Sequence, residues 1–152
     1  MQKRKLLTIC LAVGICVPTI ILTCRNIGVN ISESVPFRVY SIDKKDKYFS
    51  CGSYVLFYLK KDPLNILPDK VKLVKRIACA PGMSLSSSKE EFTCDGKLIA
   101  VRRDKANMKF SFNGPVPKGM YFMSGDHFRS YDSRIWGFLN EKDIIAVVHP
   151  IF

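Results

Sequence analysis

The sequence predicts an all-β domain that follows a single N-terminal membrane-spanning helix. Short runs rich in β-branched and aromatic residues recur over residues 38–148, and Gly, Pro, Asn and Asp separate them. Residues 6–24, in contrast, form one uncharged and mostly apolar run. Outside that run no segment has the 3.6-residue periodicity of an amphipathic helix, and only a short helical turn is expected, at 133–137. We therefore expect a partly open β-barrel or a pair of sheets.

The first of two regions is the N-terminal segment 1–24. Lys3-Arg4-Lys5 precedes an apolar run, Leu6–Cys24, that is about as long as a helix crossing a bilayer. A cleaved signal peptide is the alternative, but no small-x-small cleavage site follows. The basic cluster predicts a cytoplasmic N-terminus and an exported second region, residues 25–152. We expect a single-pass protein of the bacterial inner (plasma) membrane, with the second region on the periplasmic or outer side.

The second region contains the expected strands. They are, in order, Arg38–Ile42, Ser53–Leu59, Val71–Cys79, Phe92–Cys94, Leu98–Arg102, Met120–Ser124 and Ile144–Val148. Turns are expected at Pro81-Gly82, Asp95-Gly96, Asn113-Gly114-Pro115 and Ser124-Gly125-Asp126. Asp95-Gly96 is the strongest hairpin signal, because a type I′ turn needs a positive φ at both central residues.

The charge balance favours a membrane surface over nucleic acid as a partner. The chain carries 24 basic and 13 acidic residues, a net charge of +11. No interleaving of aromatic and basic residues and no known nucleic-acid-binding motif accompanies this charge. A basic surface close to anionic headgroups explains it, so we expect the lipid bilayer as a partner and no nucleic acid. A solvated basic face without a partner is the alternative.

The cysteines fall into two groups. Three lie in the apolar run, where cysteine usually serves as a small apolar residue. Of the others, Cys79 and Cys94 would join strands on either side of Pro81-Gly82 if they paired in an oxidising compartment, and Cys51 would be left over. No Cys-x-x-Cys or His-rich spacing suggests metal binding, so we expect no metal and no other cofactor.

Lys75 lies in an unusual place within the expected strand Val71–Cys79. Alternate residues of the strand form a face with four apolar side chains around its ammonium, namely those of Val71, Leu73, Ile77 and Cys79. Burial disfavours a charged lysine and can lower its pKa by several units from about 10.4, so that the amine becomes a general base. A lysine on a half-buried edge strand is the alternative. The next residue, Arg76, points to the opposite face and is expected to be a surface charge.

Two serines supply hydroxyl groups for such a base. Ser34 lies just before Val35-Pro36, and Ser130 begins the segment Ser130–Gly137. A serine nucleophile with a neutral lysine as its proton acceptor needs no histidine. A Ser/His/Asp triad that uses His127 or His149 is the alternative.

Three groups of residues, in this order along the chain, resemble the boxes of the type I signal peptidases. Ser34 precedes Val-Pro, the Lys75-Arg76 pair is followed by Ala80-Pro81-Gly82, and Gly125-Asp126 precedes Ser130-x-Asp132-Ser133-Arg134. Val35 stands where housekeeping members usually have Met, and His127-Phe128 where they have Asn-Arg. Further residues are similar to the conjugative-transfer branch, which matures pilin subunits: Ser34-x-Pro36-x-x-x-Tyr40, Val116-Pro117-x-Gly119-x-Tyr121-Phe122 and His149-Pro150-Ile151-Phe152.

The resemblance implies a role for each candidate site residue. Ser34 is the expected nucleophile and Lys75 the general base, which later protonates the leaving amine. The Ser34 N–H and the Ser32 hydroxyl would stabilise the oxyanion, although Ser32 could instead cap the turn. Ser130 would orient the Lys75 amine. The remaining pair, Asp132 and Arg134, is expected to form a structural ion pair that supports the site.

The sequence therefore predicts a membrane-anchored serine endopeptidase with a signal-peptidase-like fold. Its expected partners are exported precursor proteins, with a pilin of a conjugation apparatus as the favoured substrate. A housekeeping signal peptidase with a broad substrate range is one alternative. A self-cleaving repressor shares the Ser/Lys chemistry, but such proteins carry a DNA-binding helix pair where this chain has an apolar run. A catalytically inactive scaffold of the same fold is a further alternative.

Overall fold

A computed structural model describes residues 26–102 and 109–152 of the chain. The membrane-spanning helix expected at residues 6–24 lies outside the described residues, as does the short segment 103–108. Within the two described ranges, no helix is long and apolar enough to cross a membrane.

The described residues fold mainly into β-strands joined by turns. The strands are β1 (Ile27–Val29), β2 (Val39–Asp43), β3 (Tyr54–Leu59), β4 (Val71–Cys79), β5 (Ser84–Ser87), β6 (Glu91–Cys94), β7 (Lys97–Val101), β8 (Asn113–Pro115), β9 (Met120–Ser124), β10 (Leu139–Asn140) and β11 (Ile144–Pro150). A single turn of α-helix, α1, spans Ser133–Trp136, and a 3-10 turn spans Glu141–Asp143. The all-β prediction is confirmed for this part of the chain.

The larger of two sheets carries the candidate site. Its strand order is β1-β2-β11-β3-β4-β9-β10, and every neighbouring pair is antiparallel. The outer strands β1 and β10 do not pair with each other, so the sheet stays open. One of its faces packs into a core around Val55, Phe57, Ile77 and Met123, and α1 covers this core through Trp136.

The smaller sheet, with the strand order β7-β6-β5-β8, packs beside the end of β4. Cys79 at the end of β4 and Cys94 at the end of β6 form a disulfide that joins the two sheets, with Cα atoms 5.7 Å apart. The expected pairing is therefore present. Cys51 is left over as a free, exposed thiol.

Two turn predictions had different outcomes. Asp95 and Gly96 both adopt a positive φ, of 47° and 76°, in the hairpin between β6 and β7, as the type I′ turn requires. The turn expected at Asn113-Gly114-Pro115 is wrong, because these residues form β8 and pair with β5. The Asn113 side chain accepts hydrogen bonds from Ser86 and Ser87, and β8 is an edge strand, where proline is tolerated.

Candidate active site

Lys75 is buried in the middle of the larger sheet. Its side chain is 3% exposed, on the face of β4 that also buries Ile77 completely. No salt bridge or hydrogen bond joins the Lys75 amine to any residue of the described ranges. Burial lowers the pKa of Lys75 from 10.5 to about 8, since a charged amine loses its hydration in this core. The amine is therefore neutral in a large fraction of molecules at mildly alkaline pH.

Three charged groups act on Lys75 in addition to burial. The Asp132 carboxylate raises its pKa, the Arg134 guanidinium lowers it, and Asp126 raises it by the smallest amount. Asp132 and Arg134 form the expected ion pair in a bidentate geometry, with Nε to Oδ1 at 2.8 Å and NH2 to Oδ2 at 2.7 Å. The pair is 0% and 2% exposed, so each charge is compensated inside the protein.

Two residues at the start of α1, Asp132 and Ser133, hold the end of β9 in place. Asp132 caps α1 by accepting a hydrogen bond from the Arg134 N–H, and its Oδ2 atom accepts one from the Gly125 N–H at 2.9 Å. The next residue, Ser133, accepts a hydrogen bond from the Met123 N–H through its hydroxyl at 2.8 Å. The position of Gly125 after β9 is therefore fixed by the same carboxylate that binds Arg134.

Gly125 brings the two candidate serines together. Arg76 pairs with Ser124 in the β4–β9 ladder, so Lys75 lies level with Gly125. A Cβ atom at Gly125 would overlap the side chain of Ser130 and lie 2.9 Å from the carbonyl oxygen of Ser34. Only glycine permits this close approach of both serines to the strand end.

Ser34 is attached to the same strand end through its backbone. Its carbonyl oxygen accepts a hydrogen bond from the Asp126 N–H at 2.8 Å. Ser34 and Ser130 line one surface pocket of about 490 Å³, together with Glu33, His127, Phe128 and Arg129. Ser34 is partly exposed at this pocket, and its N–H has no acceptor among the described residues, so the N–H is available to a ligand.

The hydrogen bond expected between the predicted nucleophile and base is not formed: the Ser34 hydroxyl and the Lys75 amine are not bonded to each other in this structure. The Ser130 hydroxyl is buried and likewise has no partner within the described part of the chain. Hydrogen bonds of this kind are often long before substrate binds and then shorten. The unsatisfied Ser130 hydroxyl is a polar group for which a neutral amine would be a suitable partner.

Ser32 lies away from the pocket that Ser34 lines. It is exposed, and its hydroxyl donates to the Asn30 side chain at 2.9 Å. The Ser32 N–H also donates to this side chain, whose amide in turn donates to the Ser32 carbonyl. Ser32 therefore stabilises the turn in this structure, which was the alternative considered from the sequence.

The two histidines lie in different elements, His127 in the loop that follows β9 and His149 in β11. His127 lines the Ser34 pocket, where its Nε2 atom lies 3.6 Å from the Glu33 carboxylate. His149 lies on β11 opposite Ser41 and is exposed. Of the two, only His127 borders the candidate nucleophile.

The sequence did not indicate one contact network beside the site. The Asp126 carboxylate accepts hydrogen bonds from the Tyr54 hydroxyl at 2.8 Å and from Arg76 Nε at 3.0 Å. The sequence places Asp126 and Arg76 in two separate motifs, and it predicts Arg76 to be a surface charge rather than a partner of Asp126. The one local signal is that Asp126 follows a glycine just beyond the predicted strand Met120–Ser124.

Comparison with known proteins identifies the family. Residues 2–152 match the family described as signal peptidase, peptidase S26. The chain belongs to this family. Signal peptidase I V of Bacillus subtilis is 30% identical over 97 residues, which are 53% of this chain and 58% of that protein. The chain thus spans less than two thirds of the length of this curated relative.

A solved structure of a signal peptidase I from Enterococcus faecalis is also similar to this family member. It is 21% identical, with a TM-score of 0.47, and the match covers 70% of this chain and 99% of that one.

Proposed function

We propose that the protein is a membrane-anchored serine endopeptidase of the signal peptidase type, with Ser34 as its nucleophile and Lys75 as its general base. Family membership supports the reaction class. The observation that carries the proposal is the buried, unpaired amine of Lys75, whose pKa of about 8 suits a base. A lysine used only for stability would be expected to reach solvent or a carboxylate.

The first half of the reaction is acylation of Ser34. The Ser34 oxygen attacks the carbonyl carbon of the scissile bond while the hydroxyl proton passes to the neutral Lys75 amine. The oxyanion that forms accepts a hydrogen bond from the Ser34 N–H, which has no acceptor among the residues described. Collapse of the intermediate breaks the C–N bond, and the Lys75 ammonium returns the proton to the leaving amine. Water attacks the acyl-enzyme in the second half, with Lys75 again as the base.

Ser130 and Ser32 assist this chemistry in the proposal. The Ser130 hydroxyl accepts from the Lys75 amine and thereby directs the free lone pair toward Ser34, which also satisfies a buried hydroxyl that lacks a partner in the described chain. The Ser32 hydroxyl is the second oxyanion donor, and it must leave Asn30 to reach the pocket.

Asp132 and Arg134 act as structural support rather than as acid or base. Their bidentate pair leaves little net charge beside Lys75, and Asp132 also holds the Gly125 N–H. Without Arg134, the Asp132 carboxylate would raise the pKa of Lys75 with no opposing charge.

The substrates in this proposal are exported precursor proteins whose leaders lie in the membrane. Residues 6–24 form the proposed anchor, with the N-terminus in the cytoplasm and the peptidase domain outside. About ten residues connect Cys24 to Ser34, so even an extended tether keeps the nucleophile within about 35 Å of the anchor. A membrane-embedded leader presents its cleavage site in the same layer.

A pilin of a conjugation apparatus is the favoured substrate. Support comes from Val35 after the nucleophile and from His127-Phe128 in the third box, which differ from the housekeeping pattern. The terminal motif His149–Phe152 also lies near the site: the Phe152 carbonyl accepts hydrogen bonds from the N–H groups of Arg38 and Val39, just after the nucleophile segment.

Co-expression tests the reaction and the substrate together. The full chain is produced with a candidate pilin precursor in one strain and with an ordinary secretory precursor in another, and the ends of each product are read by mass spectrometry. Shortening of the pilin alone supports the favoured substrate, whereas shortening of both indicates a housekeeping peptidase. Ser34→Ala should abolish processing in either case. Unchanged processing and conjugation with this variant would instead support the inactive-scaffold alternative.

A further inference from the structure

Tyr54, the first residue of β3, is linked to the segment Ser34–Phe37 directly through its ring and indirectly through Asp126. Its ring packs edge-on against the ring of Phe37, three residues after Ser34, with centroids 4.9 Å apart. Its hydroxyl donates to the Asp126 carboxylate at 2.8 Å, and the Asp126 N–H donates to the Ser34 carbonyl at 2.8 Å. Tyr54 therefore touches this segment directly at Phe37 and is linked to Ser34 through Asp126.

The sheet register places a second donor beside the Tyr54 hydroxyl. Tyr54 in β3 is directly opposite Arg76 in β4, so their side chains leave the sheet on the same face. Arg76 binds the other oxygen of the Asp126 carboxylate through Nε at 3.0 Å. Two donors from two adjacent strands thus fix one carboxylate, and Arg76 immediately follows the proposed base, Lys75.

The Tyr54 hydroxyl remains a donor wherever Lys75 titrates. Burial, followed by the hydrogen bond to Asp126, raises the pKa of Tyr54 to about 12. The Tyr54 phenol therefore keeps its proton across the pH range in which Lys75 becomes neutral. The Asp126 carboxylate also raises the pKa of Lys75, beside the larger effects of Asp132 and Arg134, so the contact network is linked to the base electrostatically as well.

We propose that Tyr54 is a positioning residue of the active site, which acts through Asp126 to hold the Ser34 backbone at the end of β9. This inference rests on the proposed function, in which Ser34 is the nucleophile. Without the Tyr54 hydroxyl, Arg76 would be the remaining side-chain donor to the Asp126 carboxylate. The loop after β9, whose Asp126 N–H binds the Ser34 carbonyl, would then move more freely. A misplacement of a reacting group by about 1 Å can lower turnover about a hundredfold.

Tyr54→Phe is the direct test, because it removes one oxygen atom and keeps the ring on Phe37. The full-length protein in detergent is assayed against a fluorogenic peptide with an Ala-x-Ala cleavage site, a sequence typical of leader cleavage sites. We expect kcat to fall about tenfold, the effect of losing a hydrogen bond to a charged group, with KM unchanged. The pH midpoint of kcat should also stay in place, since the Asp126 charge is retained.

Two further variants make the result specific. Tyr58→Phe makes the same change four residues along β3, on the same face, where the hydroxyl has no hydrogen bond to the described residues, and it should leave kcat unchanged. Asp126→Asn should lower kcat and also move the midpoint to lower pH, because it removes a negative charge that raises the pKa of Lys75. All rates are normalised to the folded fraction, measured by thermal unfolding.

The inference is overturned if Tyr54→Phe keeps the wild-type kcat, or if its loss of activity only follows a loss of folded protein. It is also overturned if Asp126→Asn leaves both kcat and the midpoint unchanged. The proposed function fails separately, because then the wild-type protein would not cleave the peptide or Ser34→Ala would cleave it equally well.

Discussion

Arg134 binds the Asp132 carboxylate through two parallel hydrogen bonds, of 2.8 Å and 2.7 Å, in a part of the core that excludes water. The pair modulates the effect of burial on Lys75, because the Asp132 carboxylate raises the pKa of the lysine and the Arg134 guanidinium lowers it. Burial then dominates and lowers the pKa of Lys75 to about 8. A lysine can thus be neutral beside a carboxylate.

Arg134→Met should shift the pH dependence of cleavage upward. Wild-type cleavage is expected to rise with pH through a midpoint of about 8, as Lys75 loses its proton. Without Arg134, the unopposed Asp132 carboxylate raises the pKa of Lys75, so the midpoint moves to higher pH. Breaking the buried pair should also cost about 3–5 kcal/mol of stability. A midpoint that stays in place or falls, in rates normalised to folded protein, would contradict this account.

Lys75→Met should stabilise the fold while abolishing cleavage. The folded-state pKa of Lys75 is depressed, so the unfolded chain binds more protons between about pH 8 and 10.5, and wild-type stability rises with pH in that window. At pH 7 the buried charge costs about 3 kcal/mol, which the variant does not incur. Denaturant unfolding should show this gain at pH 7 and a much smaller one at pH 10. Equal stability of the two proteins at pH 7 would show that Lys75 reaches solvent.

Gly125→Ala should inactivate the protein. The added methyl group would overlap the Ser130 side chain and press on the Ser34 carbonyl, so one of the serines must move. Gly52→Ala serves as the control, because its Cβ would meet no atom within 4 Å, so the positive φ should cost about 1–3 kcal/mol of stability without a clash at the site. Peptide cleavage per folded molecule should be lost in the first variant and kept in the second. Full activity of Gly125→Ala would show that the serines are not held against β9.

The Cys79–Cys94 bond should contribute to stability and leave Cys51 free. The bond closes a loop with a sequence separation of 15, for which chain entropy predicts about 3 kcal/mol. Non-reducing peptide mapping should recover Cys79 linked to Cys94, and the double variant Cys79→Ala/Cys94→Ala should unfold at lower denaturant concentration. Recovery of Cys51, Cys79 and Cys94 as free thiols, from protein isolated from an oxidising compartment, would show that the bond does not form.

The sequence predicted the strands that carry strong local patterns and missed those that depend on their neighbours. Val71–Cys79 and Met120–Ser124 have the predicted bounds, because apolar and β-branched residues fill them. The polar strand Ser84–Ser87 has no such pattern and exists because it lies between β6 and β8. Asn113-Gly114-Pro115 has turn chemistry, yet pairing along the sheet edge overrides it.

The same distinction applies to the candidate site. Lys75 stands out because a charge interrupts an apolar face, whereas the pairing of Asp132 with Arg134 follows from the resemblance of Ser130–Arg134 to the third box of the signal peptidases. The contact of Tyr54 with Asp126 joins residues 72 positions apart and depends on the β3–β4–β9 register. No local pattern encodes such a contact.

The central claim is that Lys75 accepts the Ser34 proton, and single-turnover cleavage by Lys75→Arg tests it most directly. Arginine keeps a long basic side chain but does not lose its proton in proteins, so it cannot serve as the base. Cleavage at saturating enzyme and pH 9 should fall about a thousandfold or more, as far as in Lys75→Ala, while the protein stays folded and membrane-bound. If Lys75→Arg keeps a tenth or more of the wild-type rate, Lys75 contributes only charge or packing, and the base would have to be His127, the histidine that borders Ser34.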